Sequence, residues 1–160
     1  MRFWYDCEFI DDGRTIDLIS IGIVAEDGRE LYMESADVDK GKASQWVREN
    51  VFPHLKGGEY RWPLRSIRVT LLDFFDIEEY GEPELWGYYS AYDHVAFCQI
   101  FGTMMDLPKG YPMYTRDIKQ WCDALGNPRL PEQGEGEHNA LADAHHNRVM
   151  WEFLKGVADA

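Results

Sequence analysis

Positive charge is scarce in this sequence. Sixteen Lys and Arg stand against 29 Asp and Glu, a formal net charge of −13. That balance argues against a protein that coats long nucleic acid, because such proteins carry a basic stripe. Long apolar runs are missing too. None approaches the ~20 residues that cross a bilayer, so no membrane partner is expected. The first acid, Asp6, arrives too early to leave room for the apolar core of a signal peptide. Cysteine is sparse: Cys7, Cys98 and Cys122 are scattered, odd in number and without a C-x-x-C pair. That excludes a disulfide framework and a cysteine zinc site, and a reducing cytoplasm is the expected compartment.

What is present suits a single domain over residues 1–160. The few cations are unevenly spread. Between Gln45 and Leu72, Arg48, Lys56, Arg61, Arg65 and Arg68 face only Glu49 and Glu59. Such a strip could touch a few phosphates, or it could be a solvated helix face.

Residues 2–10 are aromatic and β-branched and predict a strand. Asp12-Gly13 marks a tight turn. Residues 16–25 are apolar on both alternating faces, as in a central strand covered on both sides. Asp27-Gly28 turns the chain into a third strand over 29–34, completing an antiparallel meander. Helices are then predicted over 43–52 and 64–76, the second from the spacing of Leu64, Ile67, Leu71 and Phe75. A fourth strand follows over 84–90. Asp93 opens a helix over 93–105, with Val95, Ala96, Ile100 and Met104 inward. A short strand near 112–116, a helix over 117–125 and a last helix over 139–157 complete the chain. Strands followed by alternating strands and helices indicate an α/β domain with a mixed sheet.

Three clusters of residues could carry chemistry. Asp6-Cys7-Glu8 lies on the first strand, where alternation turns both acids to one face. Two adjacent carboxylates repel each other, and burial aggravates this. A hard divalent cation between them would relieve it; otherwise they are solvated acids at a strand end. Asp93 follows the fourth strand, as an N-cap or as a ligand at the carboxyl edge of the sheet. His138 precedes the last helix after a Gly-rich stretch, and Asp143 lies one turn into that helix. A histidine there suits a general base near neutral pH.

In this order the three motifs resemble the DEDD superfamily of 3′→5′ exonucleases, histidine branch, the RNase T-like group. Asn139 stands where the tyrosine branch carries Tyr. Tyr-Asp-Cys-Glu-Phe-Ile (5–10) and Glu-His-Asn-Ala-Leu-Ala-Asp-Ala (137–144) are most similar to the compact bacterial RNase AS-type exoribonucleases, which act on polyadenylate. The resemblance implies an RNase H-like α/β fold, a five-stranded mixed sheet flanked by helices. It implies two Mg²⁺ ions per active site, with Mn²⁺ as substitute, held by Asp6, Glu8, Asp93 and Asp143. Asp6 would bridge the two ions, and His138 would take the proton from the attacking water. The implied substrate is the 3′ end of single-stranded RNA, released as 5′-mononucleotides. A homodimer is also implied, with the Arg48–Arg68 strip near the partner's site. One departure stands out: Tyr88 and Tyr89 replace a His-Asn pair that many members carry there.

Phe9 is a candidate substrate contact, since aromatic residues after the first motif stack on terminal bases in relatives. Strand alternation, however, puts it on the face opposite Asp6 and Glu8. Arg116 is a second candidate, for phosphate or base. His145 and His146 match no family position and are expected on the helix surface or in packing. Three other readings stay open. One is a DNA-directed or oligonucleotide exonuclease of the same family. Another is a Zn²⁺ or Mn²⁺ phosphohydrolase built on His138, Asp143, His145 and His146, which leaves Asp6 and Glu8 idle. The last is a nucleic-acid-binding module without catalysis.

Overall fold

The structure, a computed structural model, describes residues 1–160. Its spine is a meander of three long strands: β1 (Arg2–Asp11), β2 (Ile16–Ala25) and β3 (Glu30–Ser35). The predicted Asp-Gly turns join them, and both pairings are antiparallel. Two glycines at these turns, Gly13 and Gly28, hold positive φ of 83° and 92°, which side chains disfavour. Next come α1 (Gln45–Asn50), the two-residue β4 (Arg61–Trp62), α2 (Leu64–Phe75) and α3 (Ile77–Tyr80). They are followed by β5 (Glu84–Gly87), α4 (Ala91–Phe101), β6 (Arg116–Asp117), α5 (Ile118–Ala124) and α6 (Ala140–Ala158).

The strands form one mixed sheet in the order β4-β3-β2-β1-β5-β6. The architecture is the expected RNase H-like α/β arrangement, with six strands rather than five. The added strand, β4, is the edge of the sheet and runs parallel to β3; two residues cannot show a period-two pattern. The strand expected near 112–116 is likewise two residues long and shifted to Arg116–Asp117.

Alternation along β1 sorts its side chains. Phe3, Tyr5 and Cys7 join the main core with Ile67, Leu71 and Phe75 of α2 and Phe97 and Ile100 of α4. Trp4 points the other way, onto Met150, Trp151 and Leu154 of α6 and Ile118 and Cys122 of α5. A third cluster seats α1, through Val47 and the adjoining Val51, on Ile10 and Ile19. All three cysteines are buried and free. No helix is long and apolar enough to cross a membrane.

Several boundaries differ from expectation for local reasons. The first helix starts at Gln45 because the Ser44 side chain accepts from Val47 N–H. Asp76, at φ 31°, ends α2, and its side chain caps α3. Val95 of α4 is exposed, not inward, and so is Met104, which lies beyond the end of that helix. The buried positions of α4 are Asp93, Ala96, Phe97, Cys98, Ile100 and Phe101, the stripe that meets the main core through Ala96, Phe97, Ile100 and Phe101.

Candidate active site

The carboxyl end of β1 and the N-terminal turns of α4 and α6 meet in one cleft, at the edge of the sheet where α/β folds gather ligands. Asp6 and Glu8 project toward α6 from consecutive positions on the same face of β1. Their register partners on β2 are Gly22 and Ser20. Gly22 makes room: a Cβ there would lie closer than 3.0 Å to the carbonyl group of Ala140 and to the Leu141 nitrogen. The start of α6 therefore rests directly on the sheet backbone beside Asp6. Asn147, buried one turn after Asp143, donates from Nδ2 to the Tyr5 carbonyl at 3.0 Å. This bond fixes α6 to β1 at the residue before Asp6.

Asp143 thus faces Glu8. One donor atom each from Glu8, His138 and Asp143 lie within 4.8 Å of one another. Asp6 and Asp93 line the same cleft with these three. Asp93 is buried, and its Oδ1 accepts the Cys7 backbone N–H at 2.8 Å. It does not cap α4; Ser90 is the residue at that position. Asp93 instead links the first turn of α4 to the β1 residue between the two motif acids.

The electrostatics are those of crowded acids. Burial, and then repulsion by Asp93, Glu8 and Asp143, holds the Asp6 carboxyl well above the usual range. Glu8 is pushed up to about 8, first by burial and then by Asp143. Burial lifts Asp93 to about 7 despite the Cys7 N–H bond, which pulls it down. Asp143 is also raised by burial, offset in part by its hydrogen-bond donors. Those donors are Gln133 Nε2 on Oδ1 at 2.6 Å and the His138 N–H on Oδ2 at 3.0 Å. Four carboxylates crowded together, Asp93 buried and the other three half-buried, repel one another strongly when ionised unless a positive partner joins them. The donor set is oxygen-rich with one imidazole, which fits a hard divalent cation such as Mg²⁺ or Mn²⁺.

Two residues with bulky side chains flank the cleft in the left-handed region: His138 at φ 67° and Tyr89 at φ 51°. Such backbone costs roughly 1–3 kcal/mol per residue and concentrates at functional sites. Tyr88 packs against Tyr89 with ring centroids 4.5 Å apart and planes tilted by 60°, and it lines a cavity of about 640 Å³ with Asp6, His138, Asp143 and His146. A smaller cavity of about 300 Å³ opens on the other side, walled by Phe9, Trp46 and Val51.

Phe9 borders the cleft from the core side of β1, beside a register slip between Glu8 and Phe9. The slip skips Ile19 on β2, so the extra residue belongs to β2 and alternation along β1 holds: Phe9 lies on the side of Phe3, Tyr5 and Cys7. Phe9 now packs partly on the main core, sets its edge on Tyr92 at 6.0 Å and lines the acid cleft. Arg116 lies elsewhere, near Glu84 at 3.7 Å and over the Trp86 and Tyr114 rings, lining a separate cavity. His145 pairs with Glu30 at 2.9 Å on the surface of α6. The converging donors include Glu8, and His145 points away, an arrangement that disfavours the His138/Asp143/His145/His146 ligand set.

The basic strip is largely tied down. Arg48 donates to the carbonyls of Lys40, Gly41 and Ala43. Lys56 sits over Tyr32 and Tyr60, and Arg68 over Phe101.

Sequence reasoning missed Gly22, Gln133, Asn147 and Asp117. Asp117 caps α5 and also accepts the Ser90 N–H at 2.8 Å, bracing the turn that carries Asp93. An interior strand glycine is a recognised sign of close backbone approach and could have flagged Gly22. Asn147 shares the inward stripe of Asp143. No sequence signal marks Gln133.

Residues 1–155 match the family described as the 3′-5′ exoribonuclease Rv2179c-like domain. The chain is also similar to two Mycobacterium tuberculosis proteins, from strains CDC 1551 / Oshkosh and ATCC 25618 / H37Rv, each named as a 3′-5′ exoribonuclease. Each is 43% identical over 162 residues, covering 100% of this chain and 96% of the relative. A match across nearly the whole chain, with the acid cluster inside it, means that this protein belongs to the 3′-5′ exoribonuclease Rv2179c-like domain family.

Proposed function

We propose that this protein is a metal-dependent 3′→5′ exoribonuclease that releases 5′-mononucleotides from single-stranded RNA ends. The observation that carries the reading is the convergence of Glu8, His138 and Asp143 within 4.8 Å, in a cleft also lined by Asp6 and Asp93. Family membership and the names of the relatives support the same activity. The ordered motifs support the histidine branch and kinship with RNase AS-type enzymes.

Asp6, Glu8, Asp93 and Asp143 would hold two Mg²⁺ ions, with Mn²⁺ as substitute. When bound, such a pair activates water as a nucleophile and stabilises charge on the departing oxygen. His138, beside Glu8 and Asp143, accepts the proton of the attacking water. Asp93 keeps one oxygen on the Cys7 N–H, so its carboxylate is fixed in orientation. Phe9 gives the cleft an aromatic wall for the terminal base, where stacking contributes ~1–3 kcal/mol. Arg116 serves RNA only if the strand extends past β5 to its own cavity. The acidic chain carries few free cations, which suits a footprint of a few nucleotides. A homodimer, cytoplasmic location and preference for adenylate-rich ends belong to this reading through the resemblance.

The test is incubation of 5′-labelled single-stranded RNA and DNA homopolymers with Mg²⁺. A ladder shortening one nucleotide at a time from the 3′ end, fastest on RNA and on polyadenylate, is expected. Binding without shortening would favour a non-catalytic module, and faster loss of DNA would favour the DNA-directed reading.

A further inference from the structure

His138 is the one member of the acid cluster that neither a strand nor a helix holds. It ends the stretch that follows α5, after Gly134 and Gly136, and its own backbone is left-handed. Its N–H is fixed to Asp143 Oδ2. That bond sets the main chain and leaves the imidazole free to turn about its side-chain torsions. The contact that bears on the ring comes from α1. Trp46 meets His138 with ring centroids 4.9 Å apart and planes at 82°, an edge-to-face aromatic pair.

Trp46 is well placed to act as a fixed stop. The helix α1 is only six residues long, but it is secured at three points. Ser44 caps it, Val47 and Val51 bury into the third core cluster, and Arg48 ties it to the carbonyls of the preceding turn. The same segment also holds the next residue of the loop, since Asn139 Nδ2 donates to the His54 carbonyl at 3.3 Å. Consecutive residues 138 and 139, at the entrance to α6, are therefore braced against residues 46–54. Trp46 is 53% exposed and belongs to none of the core clusters, so packing of the fold does not require its indole.

We propose that Trp46 is a positioning residue, whose ring holds the His138 imidazole over Glu8 and Asp143. The catalytic consequence rests on the exonuclease reading above; the contact itself does not.

Two measurements test it. In metal-free protein, the His138 ring proton resonances, identified by their loss in His138→Ala, should move in Trp46→Ala and return toward wild-type positions in Trp46→Phe. In single-turnover cleavage of 5′-labelled RNA, Trp46→Ala should lower the maximal rate constant about 10- to 100-fold, the scale of a misplaced reacting group. Its half-saturating RNA concentration should stay within about twofold, and Trp46→Phe should recover most of the rate. Combined with His138→Ala, Trp46→Ala should cost nothing further, since a positioning residue has no effect once its target is gone. Unmoved resonances, additive losses, or weakened RNA binding at an unchanged rate constant would overturn the proposal, the last by making Trp46 a contact for RNA. If wild type cleaves no RNA, the exonuclease reading fails by itself, and the resonances alone decide whether Trp46 holds the ring.

Discussion

Gly22 on β2 and Ala140 at the start of α6 are in such close contact that the sheet and helix backbones touch with no side chain between them. Gly22 is the register partner of Asp6. The contact therefore sets the distance at which Asp143 is presented to the β1 acids. Gly22→Ala must push α6 outward, and overpacking of this kind costs ~1–3 kcal/mol. A lower Tm and at least a tenfold loss of activity are expected. Gly156→Ala, in the same helix with nothing near its Cβ position, should instead gain up to ~1 kcal/mol from helix propensity at unchanged activity. Thermal melts and RNA trimming on both variants check the pair.

The raised carboxyls give the metal-free protein an unusual pH dependence. Glu8 lies near 8 and Asp93 near 7 in the fold, against ~4 for free side chains. The folded state thus binds these protons more tightly than the unfolded chain does. Their stabilising contribution is complete below about pH 4 and is lost as pH rises through 7 to 8. Melting in the presence of a chelator should show Tm falling between pH 5 and 8.5. Added Mg²⁺ should raise Tm more at pH 8 than at pH 5.5, because it binds only the native cluster. A Tm that is flat or rising with pH in chelator would contradict the crowded-acid description.

His138→Ala should be slow and not dead. Replacing a general base costs ~10²–10⁴-fold, while the carboxylates remain in place. The variant should bind RNA about as well as wild type. Single-turnover rates of the two proteins check it; an unchanged rate would remove His138 from the chemistry.

The meander was legible because two Asp-Gly turns and alternating apolar residues state it locally. The five site residues were legible as an ordered set, since each is weak alone. What stayed hidden depends on neighbours distant in sequence. The bulge opposite Glu8 and Phe9 cannot be read from one strand; alternation put Phe9 on the core side of β1, where it is, but gave no sign that its ring would also border the cleft. Asp93 looked like a cap, and only the fold brings the Cys7 N–H to it. β4 exists because the β3 edge is there to pair with. Gln133 was invisible because its partner, Asp143, is ten residues on and its own loop has no periodicity.

In this reading the crowded acids serve a metal-dependent nuclease and burden the fold when no metal is bound. The measurement that addresses it most directly is 3′-end trimming of 5′-labelled RNA by Asp6→Asn at saturating Mg²⁺, with the melting temperature of the same protein taken in chelator. One fewer charge among Glu8, Asp93 and Asp143 should raise that melting temperature above wild type, while trimming falls below detection. A variant that retains more than a few per cent of wild-type trimming, or that melts lower than wild type in chelator, would contradict the account.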